Sequence, residues 1–303
     1  MGLTIGLGPA SVGNSGGGGG GGNSILDLEI GQTTISFKVV DKTITEFPSV
    51  DASLVTTAYQ AFKDCKQLQT FPKVDWPNLT EAYGMFWYCT KIKTVPSINW
   101  PKVVNSPYLF SDCSSLSSVG RIVLPESTSC ARIFYNCQNL QSVEGFYAPK
   151  ATDVSYLFNS CPKLTSVNEL VITSAQAMSA TFQGCRALTS IELDIPKATN
   201  ITNMLRMCSA LQSVRMDISS VTTATDVFYG CDALQSCFLK GLKTTISFVY
   251  CKFLSKESVL YLFDNAQNVS GQKITLPADV FAQLTEDEIA IATEKGFSVI
   301  SAS

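Results

Sequence analysis

The chain has 303 residues, 22 basic and 25 acidic side chains for a formal charge of −3, and 45% apolar content. That balance supports a continuous core but leaves no basic face, which argues against a nucleic-acid partner, since phosphate contacts need clustered Lys and Arg. The 11 cysteines include no C-x-x-C pair and the chain has no histidine, so zinc and haem have little to bind and no cofactor is expected; no run approaches the roughly 18 apolar residues of a membrane helix.

Residues 1–12 are short, apolar and glycine-punctuated, without the basic opening or the long apolar run of a secretory signal. Leu3, Ile5 and Leu7 alternate, as they would on one face of a strand added to a partner's sheet, and Val12 adds a further apolar group. Gly16 to Gly22 follow as a glycine run. Residues 1–24 therefore read as a flexible arm that attaches the protein to another protein, a tail without a role being the alternative. Ile25–Ile30 and Thr33–Val40, parted by Gly31-Gln32, predict a β-hairpin. Ile44-Thr45-Glu46-Phe47 stands 24 residues before Leu68-Gln69-Thr70-Phe71, a degenerate first coil with Asp41 in the slot that cysteine takes later. Residues 25–61 read as an N-terminal cap.

Residues 62–254 repeat the unit F-x-x-C-x-x-L-x-[ST]-[VFI]. Its cysteine falls at Cys65, Cys89, Cys113, Cys137, Cys161, Cys185, Cys208, Cys231 and Cys251, in steps of 24 up to Cys185 and then of 23, 23 and 20. A period in the twenties is the signature of a solenoid whose stacked coils bury a stripe no single coil could bury. Phe, Cys and Leu at i, i+3 and i+6 lie on one side of a helical or 3₁₀ turn, and the residue three after Leu reads as the inward residue of a short strand. Thiols in that register act as small core hydrophobes, with an occasional disulfide or metal ligand as the alternatives, and point to a reducing compartment during folding. A hydroxyl precedes the inward residue in eight units, from Thr70 and Thr94 to Ser213 and Ser236. It reads as a ladder bonded to neighbouring backbone, or else as a polar rail for a ligand. Trp76, Trp87, Tyr88 and Trp100 cluster in the first coils, where they either pack under loops or present an interface, for which Trp87 and Tyr88 are the candidates.

After Leu254 the period stops. Ser255 opens a helix over about 256–267, Lys273–Leu276 reads as a strand, Thr285-Glu286-Asp287-Glu288 is a capping box ahead of a helix ending at Gly296, and Phe297–Ile300 is a last strand. Residues 255–303 form an α/β C-terminal cap.

The repeat resembles the BspA-type leucine-rich repeats, most closely at Asn200–Cys208 (N-I-T-N-M-L-R-M-C) and Met85–Cys89 (M-F-W-Y-C), over about residues 44–254. The resemblance implies an α/β repeat solenoid, a leucine-rich-repeat-like right-handed coil of 23–24-residue units. It also implies a binding or display role at an exposed surface, with the strand face as the usual site. Lys73, Arg121, Glu144, Glu169, Glu192 and Arg215 are the variable positions there. The ligand, glycan or protein, and the oligomeric state, a homo-oligomer included, stay open. Carboxylates such as Asp75, Glu144 and Asp194 are scattered without a shared spacing, so no catalytic set is expected. The N-terminus running into glycines and the ending A-T-E-K-G-F-S-V resemble proteins of phages of gut Bacteroidetes. That resemblance implies a virion component assembled in the bacterial cytoplasm; the alternative is a bacterial cell-surface adhesin. Neither reading involves insertion in a membrane.

Overall fold

The computed structural model describes residues 26–30, 35–47, 51–71 and 75–302. Two antiparallel strands, β1 (Leu26–Ile30) and β2 (Ile35–Val39), open the chain. The Gly31-Gln32 turn lies outside the described residues. Ile44 and Phe47 of the degenerate coil are buried, and Phe47 packs edge-on to Phe62 with ring centres 5.0 Å apart.

The coils then stack as parallel strands: β3 (Thr94–Val95), β4 (Ile98–Asn99), β5 (Ser118–Val123), β6 (Ser142–Tyr147), β7 (Ser166–Val167), β8 (Leu170–Val171), β9 (Ser190–Leu193), β10 (Ser213–Asp217) and β11 (Ser236–Lys240). The repeated Phe, Cys and Leu are buried in each coil. Phenylalanine rings stack coil on coil from Phe62 to Phe182 at 4.9–5.7 Å, lapse where Leu205 replaces the aromatic, and resume between Phe228 and Phe248 at 5.0 Å. Each such offset pair adds about 0.5–1.5 kcal/mol beyond its buried area.

The turn half of each coil is a chain of turns and not a helix, so of the two forms the spacing allows it is nearer the 3₁₀ turn, with Cys137 N–H bonded to the Phe134 carbonyl and Leu140 N–H to that of Cys137. In the coils from Cys65 to Cys231 it bends twice through the left-handed region, five residues and one residue before the cysteine, as at Arg132 (φ 59°) and Asn136 (φ 59°). Glycine fills three of these positions, Gly84, Gly184 and Gly230, and Asp64, Asp112, Asn136, Asn203 and Asp226 suit them too, but Tyr88, Tyr108, Arg132, Tyr156 and Met207 give no such signal. Backbone bonds between coils hold these turns, among them Phe134 N–H to the Leu157 carbonyl at 2.9 Å.

One residue of length divides the sheet. In the 24-residue coils nine steps separate the strand-opening hydroxyl from the next turn, as in Ser118–Ser127, Ser142–Ala151 and Ser166–Ala175. From β9 onward there are eight, Ser190–Ala198 and Ser213–Val221. The extra residue is a bulge in the sense that it interrupts the inward–outward alternation of each long strand alike, since β5 and β6 still pair one to one at a constant 24-residue offset. In β5 the inward residues are Val119, Ile122 and then Leu124, with Gly120 and Arg121 between the first two; in β10 they are Val214, Met216 and then Ile218, in strict alternation. Bulged and unbulged coils cannot stay in register along their whole length. The bulged strands accordingly form one six-stranded sheet (β3–β8) and β9–β11 another, and no strand pairing joins β7 or β8 to β9. The turn half runs on across this break, with Ser160 N–H bonded to the Gln183 carbonyl at 2.7 Å.

The C-terminal cap comprises β12 (Ile246–Ser247), α1 (Lys256–Asn265), β13 (Gln272–Leu276), α2 (Ala278–Phe281), α3 (Glu286–Thr293) and β14 (Phe297–Ser301). Ser255 caps α1 through Ser258 N–H, Thr285 and Glu288 form a complete capping box on α3, and Gly296 takes φ 87° before β14. Helix α1 packs against β11, and β12, β13 and β14 form a parallel sheet that covers the end of the core.

Candidate binding surface

Outward side chains of the strands make one face of the solenoid. The strand-opening hydroxyls align in register, Thr94–Ser118–Ser142–Ser166 on the first sheet and Ser190–Ser213–Ser236 on the second. They make no side-chain hydrogen bond among the described residues. The hydroxyls that do bond the preceding coil lie elsewhere. Ser117 and Thr165, one residue earlier, donate to Lys93 O and Gln141 O, and Thr128 and Thr152 in the turns donate to Val104 O and Thr128 O. The expected backbone-bonded ladder is therefore displaced, and the eight-unit rail is left facing outward.

The variable positions do not form one row. The 24-residue period places Arg121, Gly145 and Glu169 in register, so Glu144 falls in a separate column. Arg121 reaches across Gly145, which has no side chain to obstruct it, and pairs with Glu169 at 2.9 and 3.0 Å. Both groups are about half exposed, which limits the pair to about 1 kcal/mol or less. Glu192 and Arg215 are register neighbours on the second sheet, where the Arg215 guanidinium lies over the Phe238 ring at 4.8 Å. These side chains, with Ser190, Ser213 and Ser236, line a depression of about 390 Å³. Phe238 was not among the sequence candidates, because it lies outward between the buried Cys237 and Leu239 and looks like core without that register. Lys73, Leu3, Ile5, Leu7 and Val12 lie outside the described residues.

The aromatic candidates separate. Trp76 and Trp100 are core residues, 3% and 5% exposed. Trp87 is half-buried and fixed: its Nε1 donates to Asp112 Oδ2 at 3.0 Å, and the Lys63 ammonium sits 4.1 Å from its ring centre. Tyr88, 39% exposed, stacks on Trp87. A longer row runs past them along the turn edge. Tyr59 stacks on Tyr83, Tyr83 meets Tyr108, and Arg132 lies over both Tyr108 and Tyr156. The 24-residue intervals Tyr59–Tyr83 and Tyr108–Arg132–Tyr156 carried that signal in the sequence.

All 11 cysteines are free and buried. Burial pushes the thiols of Cys65 and Cys130 up to about 11 and that of Cys231 to about 12, so they stay protonated and unreactive at neutral pH.

No curated protein matches the sequence. Among solved structures the fold is similar to a leucine-rich repeat protein of T. pallidum (20% identity, 80% of this chain and 95% of that one, TM-score 0.36). It is also similar to a leucine-rich cell-surface protein of Faecalibacterium prausnitzii (14%, 96% of each chain, TM-score 0.36). A third is a leucine-rich repeat protein of Bacteroides ovatus (13%, 92% and 99%, TM-score 0.26). The family model described as "BspA type Leucine rich repeat region" matches residues 33–152 and 128–255 in 6 copies. With most of its length in those repeats, the chain belongs to the BspA-type leucine-rich repeat family.

Proposed function

We propose that the protein is a non-enzymatic recognition and structural subunit that presents its strand face to a glycan or protein ligand, as a component of a phage particle. The observation that carries the recognition reading is the contrast between two sets of positions. Inward ones repeat in coil after coil, while outward ones change and converge, at Glu192, Arg215 and Phe238, on one depression beside free hydroxyls. A purely structural coil needs no such convergence. The 11 free thiols support folding in a reducing cytoplasm, where virions assemble. Leu3, Ile5, Leu7 and Val12 would attach the subunit to its neighbour, with the glycines as slack. The ligand-binding residues would be Arg215 and Glu192, with Trp87 and Tyr88 on the turn edge.

The experiment is localisation in purified phage particles against the host cell envelope, with intact protein and with a variant lacking residues 2–12. Incorporation into particles that is lost in the shortened but folded variant supports the assignment. Signal only in the envelope selects the second reading, a bacterial surface adhesin, which the family's resemblance to exposed recognition proteins favours.

A further inference from the structure

The register break between β7/β8 and β9 leaves a cleft. Val167, Leu170 and Ile191 are only half-buried there, whereas their register partners Val143, Phe146 and Val214 are almost wholly buried. With Phe182 and Leu188, which are buried beneath them, they line a cavity of about 270 Å³. That is smaller than the roughly 300–1,000 Å³ of small-molecule sites, and it suits a single apolar side chain.

The two walls are strand edges. The Glu169 and Val171 carbonyls accept from Phe146 and Ala148 N–H on the side of β6, and β9 gives its other edge to β10. The edges that face each other across the cleft carry no strand ladder, and open edges are templates for an added extended chain. The rim supplies a charge preference. Glu169 is already neutralised by Arg121. Glu192 has no ion pair or hydrogen bond among the described residues, and its register neighbour Arg215 lies over the Phe238 ring. Glu192 also lines both the cleft and the adjoining depression.

We infer that the break is a binding cleft for an extended peptide segment that sets an apolar side chain between Val167, Leu170 and Ile191 and a neighbouring Lys or Arg against Glu192. This rests on the recognition reading and narrows its ligand to protein.

The test is titration of methyl-labelled full-length protein with acetyl-Lys-Thr-Leu-Thr-Lys amide. Saturable shifts are expected at the methyls of Val167, Leu170 and Ile191, with none at Val119 or Val143. Exchanging the probe's Leu for Gly should abolish them. Exchanging its Lys residues for Glu should weaken binding about tenfold, a difference that the exposed Glu192→Gln variant should erase without moving the unfolding midpoint. No shift at millimolar peptide, equal binding of the Glu-containing probe, or larger shifts at the same methyls from a neutral oligosaccharide would each overturn the inference. The parent reading is tested separately by binding of the natural partner in particle or cell assays. Full partner binding by a folded Glu192→Gln, Ile191→Ser double variant sinks the cleft and leaves recognition standing.

Discussion

The Cys161 thiol donates to the Phe134 carbonyl of the preceding coil at 3.0 Å, an oxygen that also receives Cys137 N–H within its own turn. The same bond recurs from Cys89 to Phe62, Cys113 to Phe86, Cys137 to Phe110 and Cys185 to Phe158, at 3.1–3.2 Å. The repeated cysteine is thus a small apolar filler and a donor at once, satisfying a carbonyl lone pair that water cannot reach. Serine keeps the donor, so Cys161→Ser should cost about 1 kcal/mol, whereas Cys161→Ala loses donor and volume together and should cost about 2 kcal/mol. Urea midpoints of the two variants check this. If Ser is as costly as Ala, the thiol bond contributes nothing.

Alkali should unfold the solenoid earlier than its neutral stability suggests. Burial holds the Cys65, Cys130 and Cys231 thiols up at about 11 to 12, and pushes those of Cys89, Cys137 and Cys185 up as well. The unfolded chain releases these protons near pH 9 and the folded chain keeps them. Stability is therefore complete below that value and lost as pH rises through 9 toward 11, by about 1.4 kcal/mol per pH unit for each thiol. Urea midpoints at pH 7, 9 and 10 should fall accordingly, and Cys130→Ser should flatten the slope by one thiol's share. An unchanged slope would show that Cys130 ionises in the folded state.

Two glycines should respond unequally to alanine. At Gly184 (φ 77°) an added Cβ would meet Ser160 Cα at 3.6 Å, an ordinary contact, so the left-handed backbone alone sets a cost of about 1 kcal/mol. At Gly241 (φ 79°) the Cβ would fall 1.9 Å from Ser219 Oγ and 2.7 Å from Ser219 Cα, forcing the coils apart. Thermal unfolding of the two variants should place Gly241→Ala well below Gly184→Ala. The reverse order would mean that close approach of the coils is not what Gly241 serves.

Inserting one glycine between Glu192 and Leu193 would give the β9 coil the nine-step length of its predecessors. Pairing of β9 with β7 and β8 should then form, and amide protection over residues 166–171 should rise, while protection between β9 and β10 falls. Hydrogen exchange reads both changes. Unaltered protection would mean that coil length is not the cause of the break.

Trp87→Ala should cost about 1–2 kcal/mol, because the indole is held by Asp112 and Lys63, while Tyr88→Ala at the exposed neighbour should stay within about 0.5 kcal/mol. Equal losses in chemical denaturation would place both rings in the packing.

What the sequence determined by itself is the one-dimensional order of the molecule. A stripe such as Phe158, Cys161 and Leu164 must be buried in every coil, and a fixed period makes identical coils stack, so fold, core and coil number follow from spacing. The starts of α1 and α3 were equally legible, since Ser255, Thr285 and Glu288 act on backbone a few residues away. The site was not. Arg121 and Glu169 stand two full 24-residue periods apart, so their alignment could be read from the spacing, but that they pair across the bare Gly145 of the coil between them is decided by the folded strand face. The step from 24 to 23 after Cys185 is visible in the sequence, but its consequence, an open cleft at Ile191, depends on bulged and unbulged strands meeting side by side. The turn geometry was hidden for a related reason. Neighbouring coils hold Tyr108 and Arg132 in a backbone region that their own side chains disfavour, so a tertiary constraint overrides the local preference.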